Sequence, residues 1–247
     1  MSACGSHYHG SLPPEFSEIE SRLAAVEQRI TAALKRSGRA RSEITLVAVS
    51  KKFSATAIQS AYEAGLRNFG ENYVQEFQDK REKLQPLPGA CFHLIGHLQS
   101  NKAKVACELF NIVQTVDSPK LLQRLDAAAA LLNRTMEVLL EVKLSDEESK
   151  SGANTTEIPQ LLDTAANCSR LRVTGLMTVP PWSENPEAAR PYFQKLAKLA
   201  GDYKLSQLSM GMSNDFETAI EEGATIIRVG TAIFGKRPPI NKHLLSP

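Results

Sequence analysis

Ile44-Thr-Leu-Val-Ala-Val-Ser50 is a run of β-branched and aliphatic residues with no alternation of polar and apolar positions. A strand with one face in water alternates, whereas a continuous apolar run belongs to a strand covered on both faces, as in a parallel sheet flanked by helices. Downstream the pattern recurs. Strand-like segments at Asn68–Glu71, Cys91–Ile95, Ile112–Val116, Met136–Val142, Arg172–Val179, Gln207–Met210 and Ile226–Val229 bring the total to eight. Helical segments at Ala55–Ala64, Val74–Leu84, Lys102–Leu109, Pro119–Leu132, Ile158–Asn167, Glu187–Ala200 and Asp215–Glu221 separate them. Each is long enough for a right-handed crossover. Eight βα units in 247 residues predict a single closed (β/α)8 TIM barrel, with an open doubly wound sheet as the competing arrangement.

Upstream of the first strand, Phe16, Ile19, Leu23, Val26, Ile30 and Leu34 recur at steps of three and four, which predicts an extra N-terminal helix over Ser17–Ser37. Ser17 with Glu20 reads as its capping box, and Gly38 as the residue that ends it. Met1–Phe16 is rich in Ser, Gly, His and Pro and reads as a flexible tail; the barrel is expected over residues 17–240, followed by a short tail over 241–247.

Lys+Arg 29 against Asp+Glu 27, a formal charge of +2, gives no footprint for nucleic acid. No apolar run approaches the roughly 20 residues that span a membrane. Cys4, Cys91, Cys107 and Cys168 show no pairing or metal-type spacing, so a reducing, cytoplasmic setting is expected. The N-terminal segment lacks the apolar core of a secretory signal; a remnant of organelle targeting, and with it an organellar fraction, is the alternative to the cytoplasm, although the segment lacks the arginines such peptides usually carry.

In a barrel, function gathers where the strands end. The first strand ends in Ser50-Lys51-Lys52, the second in Gly70-Glu71-Asn72, the seventh in Ser209-Met210-Gly211-Met212-Ser213-Asn214 and the eighth in Arg228-Val229-Gly230-Thr231. The last two loops are where barrels most often hold a phosphate. Gly211 and Gly230 allow the backbone to approach an anion, and Ser213 and Thr231 add hydroxyls and cap the helices that follow. Lys51 follows a buried run, a position that desolvates an ammonium as an imine-forming lysine requires. Lys52 is its rival, since two adjacent lysines cannot both point over the barrel axis. A strand-end lysine with a phosphate cradle selects a ligand that is both carbonyl compound and phosphate ester: pyridoxal phosphate or a sugar phosphate. Arg228 either partners a pyridine nitrogen or grips the phosphate. At the ring nitrogen, a permanently protonated guanidinium only donates, which weakens the ring as an electron sink.

Other constellations carry less. His93 and His97 stand four apart, but on a strand leaving the core that spacing scatters ligands, so no metal is expected. Asp146–Gly152 reads as a solvated loop or a cover over the barrel mouth. Met177, Met210 and Met212 read as packing, and Trp182, after Pro180-Pro181, as a loop anchor.

At these residues the chain resembles the pyridoxal-phosphate homeostasis protein family, the proline-synthase co-transcribed group, which is similar to the barrel half of bacterial alanine racemases. The resemblance runs from the Ser17 helix to Gly235, through Val47-Ala-Val-Ser-Lys51, Phe69-Gly-Glu-Asn-Tyr-Val-Gln-Glu76, His93-Leu-Ile-Gly96 and Leu98-Gln-Ser-Asn-Lys102. It continues through Ser149-Lys-Ser-Gly152, Gly175-Leu-Met177, Ser209-Met-Gly-Met-Ser213 and Arg228-Val-Gly-Thr-Ala-Ile-Phe-Gly235.

The resemblance implies pyridoxal 5′-phosphate held as a covalent imine on Lys51 rather than Lys52, with Asn72 beside the cofactor. It also implies that Ser213, Gly230 and Thr231 serve the phosphate and that Arg228 contacts the cofactor. Alanine racemases add a C-terminal β-rich domain that supplies an opposing tyrosine; this sequence is expected to lack it, and a two-base reaction needs groups on both faces of the cofactor. The expected function is therefore binding and delivery of the cofactor to apo-enzymes, a vitamin B6 homeostasis role without established catalysis, as a monomer or weak dimer. An amino-acid racemase using Tyr73 or a partner chain as second base is the alternative, and a Schiff-base aldolase acting on a sugar phosphate is a third.

Overall fold

The computed structural model describes residues 14–145 and 151–236. Its eight strands are β1 (Thr45–Val49), β2 (Asn68–Glu71), β3 (Cys91–Leu94), β4 (Ile112–Val116), β5 (Met136–Glu141), β6 (Leu171–Met177), β7 (Gln207–Ser209) and β8 (Ile226–Val229). They pair in sequence order, all parallel, and β1 closes on β8 with Val47 opposite Arg228. The expected (β/α)8 barrel is the observed fold, and the open-sheet alternative is excluded. Around it lie α1 (Pro14–Ser37), α2 (Ala55–Glu63), α3 (Val74–Arg81), α4 (Ala103–Leu109), α5 (Pro119–Leu131), α6 (Ile158–Ala166), α7 (Arg190–Asp202), α8 (Phe216–Glu221) and α9 (Thr231–Phe234).

The local differences from expectation have physical causes. α1 begins at Pro14 rather than Ser17, because proline's missing N–H needs no partner in a first turn. Ser17 therefore lies inside the helix and not at its cap. Gly38, at φ +67°, ends it as read. The segment read as one helix over Glu187–Ala200 is a 3-10 turn (Pro186–Ala189) followed by α7, with Pro191 in the new helix's first turn. The expected β3 and β6 ran too far, because apolar Ile95 and Val179 lie past the last ladder and line a cleft instead. The tail expected over Met1–Phe16 lies outside the described residues up to position 13, as do residues 146–150 of the Asp146–Gly152 loop and the expected 241–247 tail.

The main apolar core fills the space between strands and helices, with Ile58, Phe69, Phe77, Phe110, Leu122 and Phe193 fully buried. α1 packs on α2, α8 and α9, covering the β1–β8 seam with Ile19, Val26 and Ile30. Inside the barrel, Val47, Leu139, Met177 and Ile226 form a separate small cluster. These come from strands around the ring, so they meet only through the interior. The rest of the interior is polar: Ser209, Gln114, His93 and Arg228 are all buried, and that polarity supports the site.

Candidate functional site

At the carboxyl ends of the strands lies a cleft of about 440 Å³, within the about 300–1,000 Å³ usual for small-molecule sites. Lys51, Asn72, Ser213, Arg228, Gly230 and Thr231 all line it. Six residues read from four separate strand ends thus meet at one place. Ile95, Val179, Pro181, Trp182 and Met212 give it apolar walls.

The two lysines separate at the end of β1. Lys51 lines the cleft and is partly buried, while Lys52 is exposed and takes a left-handed backbone conformation, φ +65°. The chain turns sharply between them, sending the second side chain away from the barrel mouth.

The loops after β7 and β8 are joined by Ser213. Its Oγ accepts from the Gly230 N–H at 3.3 Å and the Ala232 N–H at 3.4 Å, at the start of α9. Ser213 was expected to cap the helix that follows it; instead it faces α9 across the loops, and Asp215 is the N-cap residue of α8. Asp215 Oδ1 accepts from the Met212 N–H at 2.6 Å, and burial pushes its carboxyl up while that bond pulls it back. Gly211, expected to admit an anion, has φ +91°, and a Cβ there would run into Ala219 and Phe216. Its bareness serves the packing of α8. Gly230 does line the cleft.

Arg228 is held by a hydrogen-bonded chain across the barrel interior. Its Nη1 donates to Ser209 Oγ at 2.6 Å, and Nη2 donates to the Thr178 carbonyl at 2.9 Å. Ser209 Oγ then donates to Gln114 Oε1 at 2.6 Å. The Gln114 amide nitrogen lies 2.9 Å from His93 Nδ1, and His93 Nε2 lies 3.0 Å from Asn68 Oδ1. An amide nitrogen only donates, so His93 is neutral with its proton on Nε2, donating to Asn68. Burial agrees with this assignment, pushing His93 down to about 4. Two N–H groups on different guanidinium nitrogens have separate acceptors, which fixes the plane of the guanidinium.

Complete burial pushes Arg228 down to about 10, with Glu141 and Asp215 pulling it back, so it remains a cation at neutral pH. Glu141, at the end of β5, is pushed up to about 7 by burial and by Asp117, against the pull of Arg228.

Asn72 Oδ1 is buried and has no hydrogen-bond partner among the described residues. An acceptor left bare on a cleft wall suits a ligand donor. Trp182, read from sequence as a loop anchor, is 76 % exposed and stands on the rim. Its isolation after two prolines was the available signal. Met177 and Met210 are core residues as read, but Met212 lines the cleft. Tyr73 is 53 % exposed and lines a neighbouring cavity with His97, Gln99 and Lys102 rather than the Lys51 cleft. His97 meets Asp117 at 3.7 Å, whereas His93 lies within the barrel.

Known proteins resemble this arrangement over nearly the whole chain. The family model described as alanine racemase, N-terminal domain, matches residues 22–238. The pyridoxal phosphate homeostasis protein of Escherichia coli (strain K12) is 43 % identical over 228 residues, covering 90 % of this chain and 97 % of that one. Its namesake from Aquifex aeolicus is 40 % identical over 222 residues, covering 87 % and 97 %. The structure of PipY from Synechococcus elongatus PCC7942 with PLP bound is similar at a TM-score of 0.79 and 37 % identity, covering 88 % of this chain and all of that one. Sequence, fold and the convergence of strand ends on one cleft agree: this chain belongs to the pyridoxal phosphate homeostasis protein family, built on the alanine racemase N-terminal domain.

Proposed function

We propose that the chain binds pyridoxal 5′-phosphate as a Schiff base on Lys51, in the cleft at the barrel mouth, and serves vitamin B6 homeostasis by holding the cofactor and yielding it to apo-enzymes. The observation that carries this reading is the meeting of Lys51 with Ser213, Gly230 and Thr231 in one cleft, where an amine and a phosphate cradle are both needed. When bound, the cofactor supplies a reactive aldehyde and an electron-withdrawing ring. Lys51 provides the amine, Ser213, Gly230 and Thr231 the hydroxyl and N–H groups for the phosphate, and Asn72 a bare acceptor for a ring substituent's hydroxyl. Arg228 provides a fixed cation toward the ring. The fit is good because the donors and the bare Asn72 acceptor match the ligand's groups in kind.

Turnover finds less support. Among the described residues lining the cleft, the titratable groups are Lys51, Asp215 and Arg228. Asp215 is engaged by the Met212 N–H, Arg228 stays a cation, and Tyr73 faces another cavity. A racemase needs a proton carrier on each face of the cofactor, and only Lys51 is placed to be one. The free thiols Cys91, Cys107 and Cys168 suit a reducing, cytoplasmic setting. No helix of the described residues is long and apolar enough to cross a membrane.

The test is borohydride reduction of the protein with pyridoxal 5′-phosphate, followed by peptide mass mapping. The adduct is expected on Lys51, and Lys51→Ala is expected to abolish both the adduct and the visible absorbance of the bound cofactor. An adduct on Lys52, or none, would overturn the reading. Stereospecific exchange of an amino acid's α-proton in deuterated water, lost in Lys51→Ala, would favour the racemase instead.

A further inference from the structure

Lys51 lies between two backbone groups that are both gripped by one helix. On its upstream side Ser50 is fully buried. The Ser50 N–H donates to the Gly70 carbonyl at 3.0 Å, and its hydroxyl donates to Glu71 Oε1 at 2.8 Å. The Ser50 carbonyl accepts from Lys80 Nζ at 2.9 Å and from the Phe53 N–H at 3.0 Å. On the downstream side the Lys52 N–H donates to Glu76 Oε1 at 2.5 Å. Glu76 and Lys80 stand one turn apart on α3 and pair at 2.7 Å.

Lys80 is 93 % buried and its ammonium has three acceptors: Ser50 O, Glu71 Oε1 at 2.8 Å and Glu76 Oε1. An ammonium has three donors, so all are used, and a buried cation is tolerated only when paired in this way. Lys52 adds a further constraint. At φ +65° it occupies a left-handed conformation that penalises any residue with a Cβ. Strain of this kind persists only where the surroundings impose it, and two bonds hold this turn: the Phe53 N–H to the Ser50 carbonyl across it, and the Lys52 N–H to Glu76.

We infer that Glu76 and Lys80 are positioning residues: through the Lys52 amide and the Ser50 carbonyl they lock the turn at Lys51 and aim its amine into the cleft. This rests on Lys51 as the cofactor's attachment point, but the lock itself does not. Without the Glu76 carboxylate, the peptide between Lys51 and Lys52 loses its side-chain anchor, and rotation against the remaining Phe53-to-Ser50 turn bond can relieve the left-handed strain. Glycine adopts φ +65° without a steric penalty, so Lys52→Gly should hold the same turn without the lock. A residue that merely glued α3 to the barrel would not be rescued by a glycine on the far side of its hydrogen bond.

The experiment compares the full-length wild type, Glu76→Ala, Lys52→Gly and the double variant. It measures affinity for pyridoxal 5′-phosphate, borohydride trapping mapped to individual lysines, and amide hydrogen exchange at position 52 in the cofactor-free protein. Glu76→Ala is expected to weaken affinity about tenfold, to reduce trapping at Lys51, and to accelerate exchange of the Lys52 amide. The double variant is expected to recover affinity to within about twofold of wild type. Unchanged affinity and exchange in Glu76→Ala, or a double variant as impaired as the single one, would overturn the inference. Should Glu76→Ala fail to fold, Glu76→Gln must show a smaller loss with the same reversal by Lys52→Gly, and a loss without reversal refutes the lock. If the wild type forms no adduct at Lys51, the cofactor reading falls, while the exchange rate at Lys52 still decides whether the lock exists.

Discussion

Replacing Glu141 with glutamine should make the protein's stability less sensitive to a rise in pH from about 4.5 to about 7, and the structure sets the size of the effect. Glu141 is 92 % buried and its Oε2 has no hydrogen-bond partner among the described residues. Burial first, and the neighbouring Asp117 second, push the carboxyl from an ordinary 4.5 to about 7, even with Arg228 pulling it back. Below about pH 4.5 both folded and unfolded chains hold the proton, and the group contributes no pH dependence. Between 4.5 and about 7 the unfolded chain releases it while the folded one does not, so stability falls as pH rises. Above that window the folded state carries a buried charge at a cost of about 3 kcal/mol, taking about 1.4 kcal/mol per pH unit. Glutamine has nearly the same shape and no charge to bury. Urea unfolding of the cofactor-free wild type and Glu141→Gln across the range should therefore show a stability difference that shifts in the variant's favour by about 3 kcal/mol between the two ends. That difference should be flat on either side of the window. A difference independent of pH, or one that moves toward the wild type as pH rises, would refute the reasoning.

His93 gives the opposite slope. Its folded-state value of about 4 lies below the ordinary 6.5, so the stability that depends on a neutral ring is lost as pH falls from 6.5 toward 4, and NMR should show no titration of this ring near 6.5. Trp182 is the chain's single tryptophan and stands exposed on the cleft rim. Its fluorescence should quench on addition of pyridoxal 5′-phosphate, and Trp182→Ala should weaken binding about fivefold while changing the unfolding free energy by less than about 0.5 kcal/mol.

Much of the fold was legible along the chain because a barrel of βα units repeats one local decision. A strand covered on both faces must be apolar at consecutive positions, as Thr45–Val49 nearly is, and the helices between strands must carry an apolar stripe. Both are properties of neighbouring residues. The strand ends named the cleft residues for the same reason: in a barrel, chain position at the end of a strand is position at the mouth. The ends of elements were less legible. Pro14 extends α1 and Pro191 restarts α7, while Ile95 and Val179 have strand-like side chains in loops, because a ladder ends where its partner strand ends.

By itself, then, the sequence determined the order of elements, their parallel arrangement and the group of strand-end residues that share one mouth, while the pairing of β1 with β8 decided closure over an open sheet. Residue spacing left open which of two adjacent lysines enters the cleft; the family resemblance implied Lys51, and the tertiary structure supplies the physical reason. That choice depends on the left-handed turn at Lys52 and on Glu76 and Lys80, more than twenty residues away in the chain. The tertiary structure also decided the orientation of Arg228, through a chain of side chains from β2, β3, β4, β7 and β8. It gave Gly211 to packing and Trp182 to the rim. The physical reason is common to all of these: periodicity reports which face of an element is buried, but a hydrogen bond or a turn under strain is settled only when its distant partners arrive.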